Sequence, residues 1–231
     1  MEDSAGGIAV SAPAPVALFD FDHTLIRHDS FAAFARRLLQ RDWWRIAAAL
    51  GLSPVLAPLV PLRRTRGIPA LTLVWLATLG LDGERLTRKL RQHVTHLARD
   101  PGALAHREGL ARLREHQRAG HRVVIATGAL EELARAICEA LGLEDLAIVG
   151  SSWRPWGGGM TAREHCFGER KVTMLRARGF PPPWRWVYTD SAADLPLLRH
   201  AGEGFLVKPT RWTLAQAARE LEHPPGVLRW R

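Results

Sequence analysis

Four short stretches carry residue types that could do chemistry. Asp20-Phe21-Asp22-His23-Thr24-Leu25 places two carboxylates two residues apart. At the end of a strand, that spacing puts Asp20 and Asp22 on the same side of the chain. Such a pair can hold a hard divalent cation such as Mg²⁺, supply a nucleophile to phosphorus, and protonate a leaving oxygen before activating water. The same spacing also occurs in ordinary loops. Asp190-Ser191-Ala192-Ala193-Asp194 offers a second pair, with Asp190 able to ligate metal from a loop and Asp194 in a first helical turn. In isolation, helix capping by Asp190 or Ser191, with Asp194 favoured by the helix dipole, explains these residues. A matching carboxylate pair at another strand end weakens that explanation. Thr127-Gly128 supplies a hydroxyl and backbone N–H groups suited to a phosphate oxygen, or a plain helix cap. Gly168-Glu169-Arg170-Lys171 sets a lysine at a helix start, where the dipole disfavours cations. The chain has only three lysines: Lys89, Lys171 and Lys208. A lysine that holds a phosphate and a nucleophilic carboxylate together explains the placement; an exposed surface lysine is the bland alternative.

The elements that must position these residues alternate. Apolar runs at Val16–Phe19, Arg122–Ala126, Leu146–Val149, Trp184–Thr189 and Gly204–Val207 read as buried strands. Amphipathic segments at Leu104–Ala119, Leu130–Leu141, Arg170–Arg178 and Leu195–His200 read as helices, each stopped at or near a glycine. Alternation of this kind predicts an α/β fold with a parallel sheet, whose ligands bind at the carboxyl ends of the strands. Asp20, Thr127 and Asp190 all fall at such ends. Trp153–Met160 has turn chemistry and predicts a small hairpin.

Between the first two strands lies a long, mostly helical insertion. It contains no Asp or Glu from Trp43 to Leu81, and Ile46–Leu62 is uncharged and broken by Pro54, Pro58 and Pro61. A basic knot follows at Arg63, Arg64 and Arg66. The uncharged run spans ~26 Å if helical, short of the roughly 30 Å bilayer core. With three prolines, it suits a hairpin dipping into one leaflet, with Trp43, Trp44 and Trp75 near the interface and the arginines near lipid phosphates. A buried helical core with a solvated arginine turn fits equally.

The chain has 231 residues, 47% hydrophobic and 24% charged. These values exclude a disordered, collagen-like or coiled-coil chain and allow one domain with an insertion. The net charge of +9 rests on 29 Arg and 3 Lys. It would draw anionic substrates, nucleic acid or anionic membranes without choosing among them. Cys138 and Cys166 cannot build a disulfide framework, so a reducing compartment is expected. Acidic Glu2 and Asp3 argue against a secretory leader, and residues 1–14 read as a mobile tail. His28, His93, His96, His165 and His200 share no metal-ligand spacing with nearby Cys or carboxylates and read as surface or packing residues.

Taken together and in order, FDFDHTL, ATG, GERK and DSAAD resemble the motif set of the haloacid dehalogenase (HAD) superfamily of phosphatases, over Val16–Lys208. The resemblance implies a Rossmann-like parallel sheet flanked by helices. Residues 15–28 and 101–231 would be the catalytic core and 29–100 a helical C1 cap, possible contact with a membrane included. It implies Asp20 as nucleophile and Asp22 as general acid/base that also gives a backbone carbonyl to Mg²⁺. Thr127, with Gly128, and Lys171 would bind the phosphoryl group, Asp190 would ligate Mg²⁺, and Asp194 would support that site. His23 departs from the glycine usual there and puts substrate size in question. The insertion point resembles subfamily IB, which includes phosphoserine phosphatase. The cap run PALTLVWLATLGLDGERL, TAREHCFGERKVTML, YTDSAADLPLL and LVKPTRW further resemble the phosphatidylglycerophosphatase C family. That resemblance implies an anionic phospholipid substrate at the cytoplasmic face of the inner membrane, with Arg63, Arg64 and Arg66 on the headgroup. The alternatives are a cytosolic phosphatase for a small phosphomonoester such as phosphoserine, a phosphotransferase with the same intermediate, and a basic nucleic-acid-binding protein. The last ranks lowest, because no nucleic-acid motif is present and all four motifs keep usable chemistry.

Overall fold

A computed structural model describes residues 14–59 and 67–230. Residues 1–13, within the expected tail, and Arg63, Arg64 and Arg66 lie outside the described residues. In chain order the strands are β1 (Val16–Phe19), β2 (Arg122–Leu130), β3 (Ala147–Trp156), β4 (Gly159–Glu164), β5 (Trp184–Thr189), β6 (Ala201–Val207) and β7 (Gly226–Leu228). They form one seven-stranded sheet in the order β4-β3-β2-β1-β5-β6-β7. All neighbours are parallel except β3 and β4.

β1 sits centrally because every one of its inner residues is apolar and both its faces are covered. Phe19 faces one side, stacked on Tyr188 at 4.5 Å, while Leu18 faces the other among Val124, Val187 and Leu206. The residue that follows, Asp20, is therefore carried to the carboxyl edge of a strand that cannot shift.

The helices are α1 (Ser30–Leu39), α2 (Trp43–Leu56), α3 (Gly67–Thr78), α4 (Gly83–Leu97), α5 (Pro101–Leu104), α6 (Arg107–Arg118), α7 (Glu131–Ala140), α8 (Glu169–Ala177), α9 (Leu195–Leu198) and α10 (Arg211–Glu220). The sequence reading did not anticipate α10 or β7. Arg211–Glu220 presents only Thr213 and Ala217 as buried residues, too weak an apolar stripe to read. β2 runs four residues beyond its expected end, through a register shift between Ala126 and Leu130, so Thr127 and Gly128 lie within the strand's distorted tip.

α1 to α4 lie between β1 and β2. The chain leaves and re-enters side by side: Arg27 N–H donates to Leu104 O and His106 N–H to Leu25 O, both at 2.9 Å. α1 is capped by Asp29 and α4 by Asp82 through side-chain bonds to backbone N–H groups. α2 is held differently. Its Arg45 is 2% exposed, pairs with Asp42 at 2.8 Å, and donates to the carbonyls of Leu76 and Leu79 at the end of α3. α2 also runs through Pro54, which was expected to break it. Pro54 cannot donate to Leu50 O; the Ser53 hydroxyl does so instead, at 2.7 Å, and the helix continues to Leu56. Among the described residues no helix is long and apolar enough to cross a membrane.

The expected hairpin forms between β3 and β4, turning at Gly157 and Gly158 with φ of 54° and 77°. It is tied to α3. Met160 N–H donates to Thr78 Oγ1 and Gly80 N–H to Gly158 O, both at 2.8 Å, and the Trp75 indole donates to Gly157 O at 3.1 Å. Trp75 thus docks on the hairpin.

Candidate active site

The four sequence stretches converge at the carboxyl ends of β1, β2 and β5. Asp20 follows β1, and its N–H donates to Tyr188 O at 2.8 Å. Lys171 enters from the first turn of α8, which the chain reaches through Gly168 at φ 58°. Its ammonium is buried, donating to Asp20 Oδ1 at 2.7 Å and to Asp194 Oδ2 at 2.8 Å. Asp194 also accepts from Thr189 Oγ1 at 2.8 Å, while Ser191 performs the capping, its Oγ accepting from Ala193 N–H. A capping role for Asp190 or a dipole role for Asp194 is therefore not what these residues are built around.

Burial pushes the Asp20 carboxyl up, the Lys171 ammonium opposes it, and the nearby Asp194 and Asp190 charges raise it further. For Lys171 burial works against the charge, yet Asp194 and Asp20 outweigh it and hold the ammonium above its ordinary range. Asp190 is likewise raised, first by burial. Asp22 stands apart from Lys171. Its Oδ1 accepts from Ser30 N–H, the first residue of α1, at 2.9 Å. Burial raises it to about 6, the range in which a carboxyl can give and take a proton near neutral pH. The site thus holds one carboxyl bonded to an ammonium and a second bonded to a backbone N–H, two carboxyls in different surroundings.

Oxygen donors suit Mg²⁺ here. The Asp190 charge raises Asp20, and Asp194 Oδ1 is buried without a hydrogen-bond partner. Among the described residues no three His, Cys, Asp or Glu side chains close into a metal cage. Mg²⁺ is commonly held by only one or two carboxylates, with water and substrate phosphate completing the shell.

Thr127 is buried, and its Oγ1 accepts from Ala129 N–H at 3.0 Å, shaping the strand tip around Gly128. Sequence reasoning missed what braces that tip. Ser151 Oγ donates to Gly128 O at 2.7 Å and accepts from Cys166 N–H at 3.0 Å. It also missed Thr24, whose hydroxyl donates to Asp20 Oδ2 at 3.4 Å, and Thr189. A hydroxyl at the end of a strand carries no spacing signal by itself. His165 has a place the sequence did not show. It is a surface residue packed on Phe167, as expected, and in addition it lines the pocket with Asp20, Asp22, Lys171 and Asp190.

Comparison with known proteins agrees with this geometry. A family model described as haloacid dehalogenase-like hydrolase matches residues 17–199. A probable phosphatase of Mycobacterium tuberculosis is 27% identical over 107 residues, covering 45% of this chain. The match spans only 37% of that relative's length. A Bordetella pertussis Tohama I protein of unknown function superposes with TM-score 0.65 at 22% identity, over 94% of this chain and 99% of the other. A phospho-aspartyl intermediate analogue of phosphoserine phosphatase superposes with TM-score 0.56 at 14% identity, over 94% of each chain. Those two likenesses speak for the fold, and the family match covers most of the sheet and every residue of the convergent site: the chain belongs to the haloacid dehalogenase-like hydrolases.

Proposed function

We propose that this protein is a Mg²⁺-dependent phosphomonoester phosphatase acting through an aspartyl-phosphate on Asp20, and that its substrate is phosphatidylglycerol phosphate, converted to phosphatidylglycerol. The observation that carries the chemistry is Lys171 bridging Asp20 and Asp194 on the pocket floor while Asp22 stays outside that bridge. Mg²⁺ held by Asp20, Asp190 and the Asp22 backbone carbonyl would neutralise phosphate charge. Lys171 orients Asp20 and offsets anionic repulsion as the carboxylate approaches phosphorus. Asp20 Oδ bonds to phosphorus as the ester P–O bond breaks, and Asp22 gives its proton to the departing oxygen. Asp22, now a carboxylate, takes a proton from water; the water oxygen bonds to phosphorus, and the Asp20–phosphorus link breaks to release phosphate. The hydroxyl of Thr127 and the backbone at Gly128 receive the phosphoryl oxygens, and Asp194 keeps Lys171 in place.

The lipid part rests on α2. It exposes Trp43 (80%), Leu50 (67%) and Val55 (67%), with Trp44, Ile46, Ile68 and Leu71 beside them. Exposed apolar side chains in this number point to an interaction surface, and a stretch with no acidic residue from Trp43 to Leu81 suits an anionic bilayer surface at the inner membrane, where Arg63, Arg64 and Arg66 would meet headgroups. The likeness to phosphoserine phosphatase favours the other reading, a soluble phosphomonoester. Phosphate release with Mg²⁺ from phosphatidylglycerol phosphate in mixed micelles, against a panel of soluble phosphomonoesters with Asp20→Asn as blank, separates them. A clear lipid preference is expected. Preference for phosphoserine would refute the lipid substrate and leave the chemistry standing.

A further inference from the structure

The pocket around Asp20 has a volume of 330 Å³ and two unlike halves. Its floor is polar and its charge is already shared out. Lys171 is the one Lys or Arg among the described lining residues, and its ammonium is held between Asp20 and Asp194 at 2.7 and 2.8 Å. Asp22, Asp29 and Asp190 add carboxyls to the same lining, and His23 and His165 add the remaining titratable side chains. The rim is aromatic. On one side Phe31, from the first turn of α1, is braced edge-on by Trp153 of β3, with ring centres 5.4 Å apart and planes at 82°. On the other side Phe167 lies parallel to His165, centres 5.4 Å apart and planes 2° from coplanar. Phe167 stays 43% exposed, an apolar ring in the pocket lining that keeps surface free for a ligand.

That second wall is fixed with respect to the phosphate end. Ser151 Oγ bonds Gly128 O and Cys166 N–H and stands 3.3 Å from His165 Nδ1. One buried hydroxyl therefore locks the Thr127–Gly128 tip and the His165–Phe167 loop into a single unit. Gly128, Phe31 and Phe167 line the same pocket, so a ligand whose phosphate is seated at Gly128 has both rings in the space left for its next atoms.

We propose that Phe31 and the His165–Phe167 stack are the specificity-determining walls of this site. They select phosphomonoesters whose alcohol presents an uncharged, partly apolar carbon skeleton next to the phosphate, and disfavour those that present a carboxylate there. Apolar carbons gain by covering the two rings. A carboxylate would find among the described lining residues no Lys or Arg beyond the committed Lys171 to pair with, and it would sit beside the Asp29 carboxylate. This rests on the phosphatase reading above and names the leaving-group class within it.

The test is kcat/KM with Mg²⁺ for methyl, butyl and octyl phosphate and for phosphoserine. It is measured on the wild type, Phe167→Ala, Phe31→Ala and, as an exposed aromatic that is not among the pocket's lining residues, Trp212→Ala. In the wild type kcat/KM should rise about threefold per methylene over the first few carbons, and phosphoserine should lie at least about tenfold below butyl phosphate. Phe167→Ala should flatten the chain-length slope and Trp212→Ala should keep it. Phe167 is exposed, so its loss should leave the thermal unfolding midpoint unmoved, and that midpoint is read alongside the rates. Three outcomes overturn the proposal: a flat wild-type series, phosphoserine preferred over butyl phosphate, or a slope unchanged in both phenylalanine variants. Those failures leave phosphate release intact. Failure of the phosphatase reading itself looks different, with no ester hydrolysed above the Asp20→Asn blank, and it removes the proposal too.

Discussion

Replacing Asp22 with asparagine should make the protein more stable above neutral pH and far slower. The Asp22 carboxyl is raised from 3.8 to about 6, chiefly by burial, against the stabilising hydrogen bond from Ser30 N–H. A folded-state value above the unfolded one means that the native state holds a proton the unfolded chain has released. Stability from this group is therefore present below about pH 4, is lost as pH rises, and is fully lost above about 6. The gap corresponds to about 3 kcal/mol at 1.36 kcal/mol per pH unit; solvent reaching the pocket side of the carboxyl trims it to about 1–3 kcal/mol. Asparagine keeps the acceptor for Ser30 N–H and carries no charge at any pH. For a chain of this size the gain amounts to about 2–10 °C in Tm. Thermal unfolding with chelator at several pH values from 4.5 to 8.5 measures it. The difference between variant and wild type should be about a third of its full size at pH 4.5, grow through pH 6 and level off by about pH 7. On the same samples kcat should fall by about 10²–10⁴, more for poor leaving groups than for good ones. A variant less stable than wild type at pH 8, or a stability difference that does not change with pH, would refute the reasoning about burial. Wild-type rates on both kinds of leaving group would refute the acid role.

Lys171→Met leaves Asp20 and Asp194, 7% and 1% exposed, facing each other without their shared cation. The loss should be about 3–5 kcal/mol, a fall of roughly 6–20 °C in Tm in chelator, partly restored by added Mg²⁺. A fall under about 3 °C would show that the bridge carries little. Gly159→Ala tests the tie between the hairpin and α3. Its Cβ would stand 2.8 Å from Trp75 O and 2.9 Å from Trp75 Cδ1. Overpacking of this kind costs about 1–3 kcal/mol. Amide exchange should accelerate at Gly80 and Met160, whose N–H groups bond across the tie, and unchanged exchange there would argue that the contact is slack.

The parallel sheet was legible because its strands are short apolar runs ending in polar residues, a pattern that survives without any tertiary information. The same alternation placed Asp20, Thr127 and Asp190 at strand ends, and helix stops at glycine located α6, α7 and α8. Local pattern failed where a hydrogen bond from a distant or unexpected group overrode it. Ser53 carries α2 through Pro54 by replacing the missing donor. Trp75, apolar and in an apolar run, turns to the hairpin because Gly157 O accepts its indole N–H, and because Gly159 has no side chain to hold it off. β7 and α10 gave no signal, since three residues of strand and two buried positions of helix are below what periodicity can register.

The residue types and their order determined by themselves what chemistry this protein can do. Two carboxylate pairs, a lysine out of place at a helix start and a hydroxyl at a strand end have few joint uses, and the fold must bring strand ends together. Which residues touch was decided only by the tertiary structure. Lys171 reaches Asp20 across 151 positions and Asp194 across 23. Asp22 turns to Ser30 and away from that bridge. His165 and Phe167, unremarkable in the sequence, become a wall of the pocket because Ser151 fastens their loop to Gly128. Such contacts depend on side-chain direction and separation in three dimensions, and a linear pattern records neither.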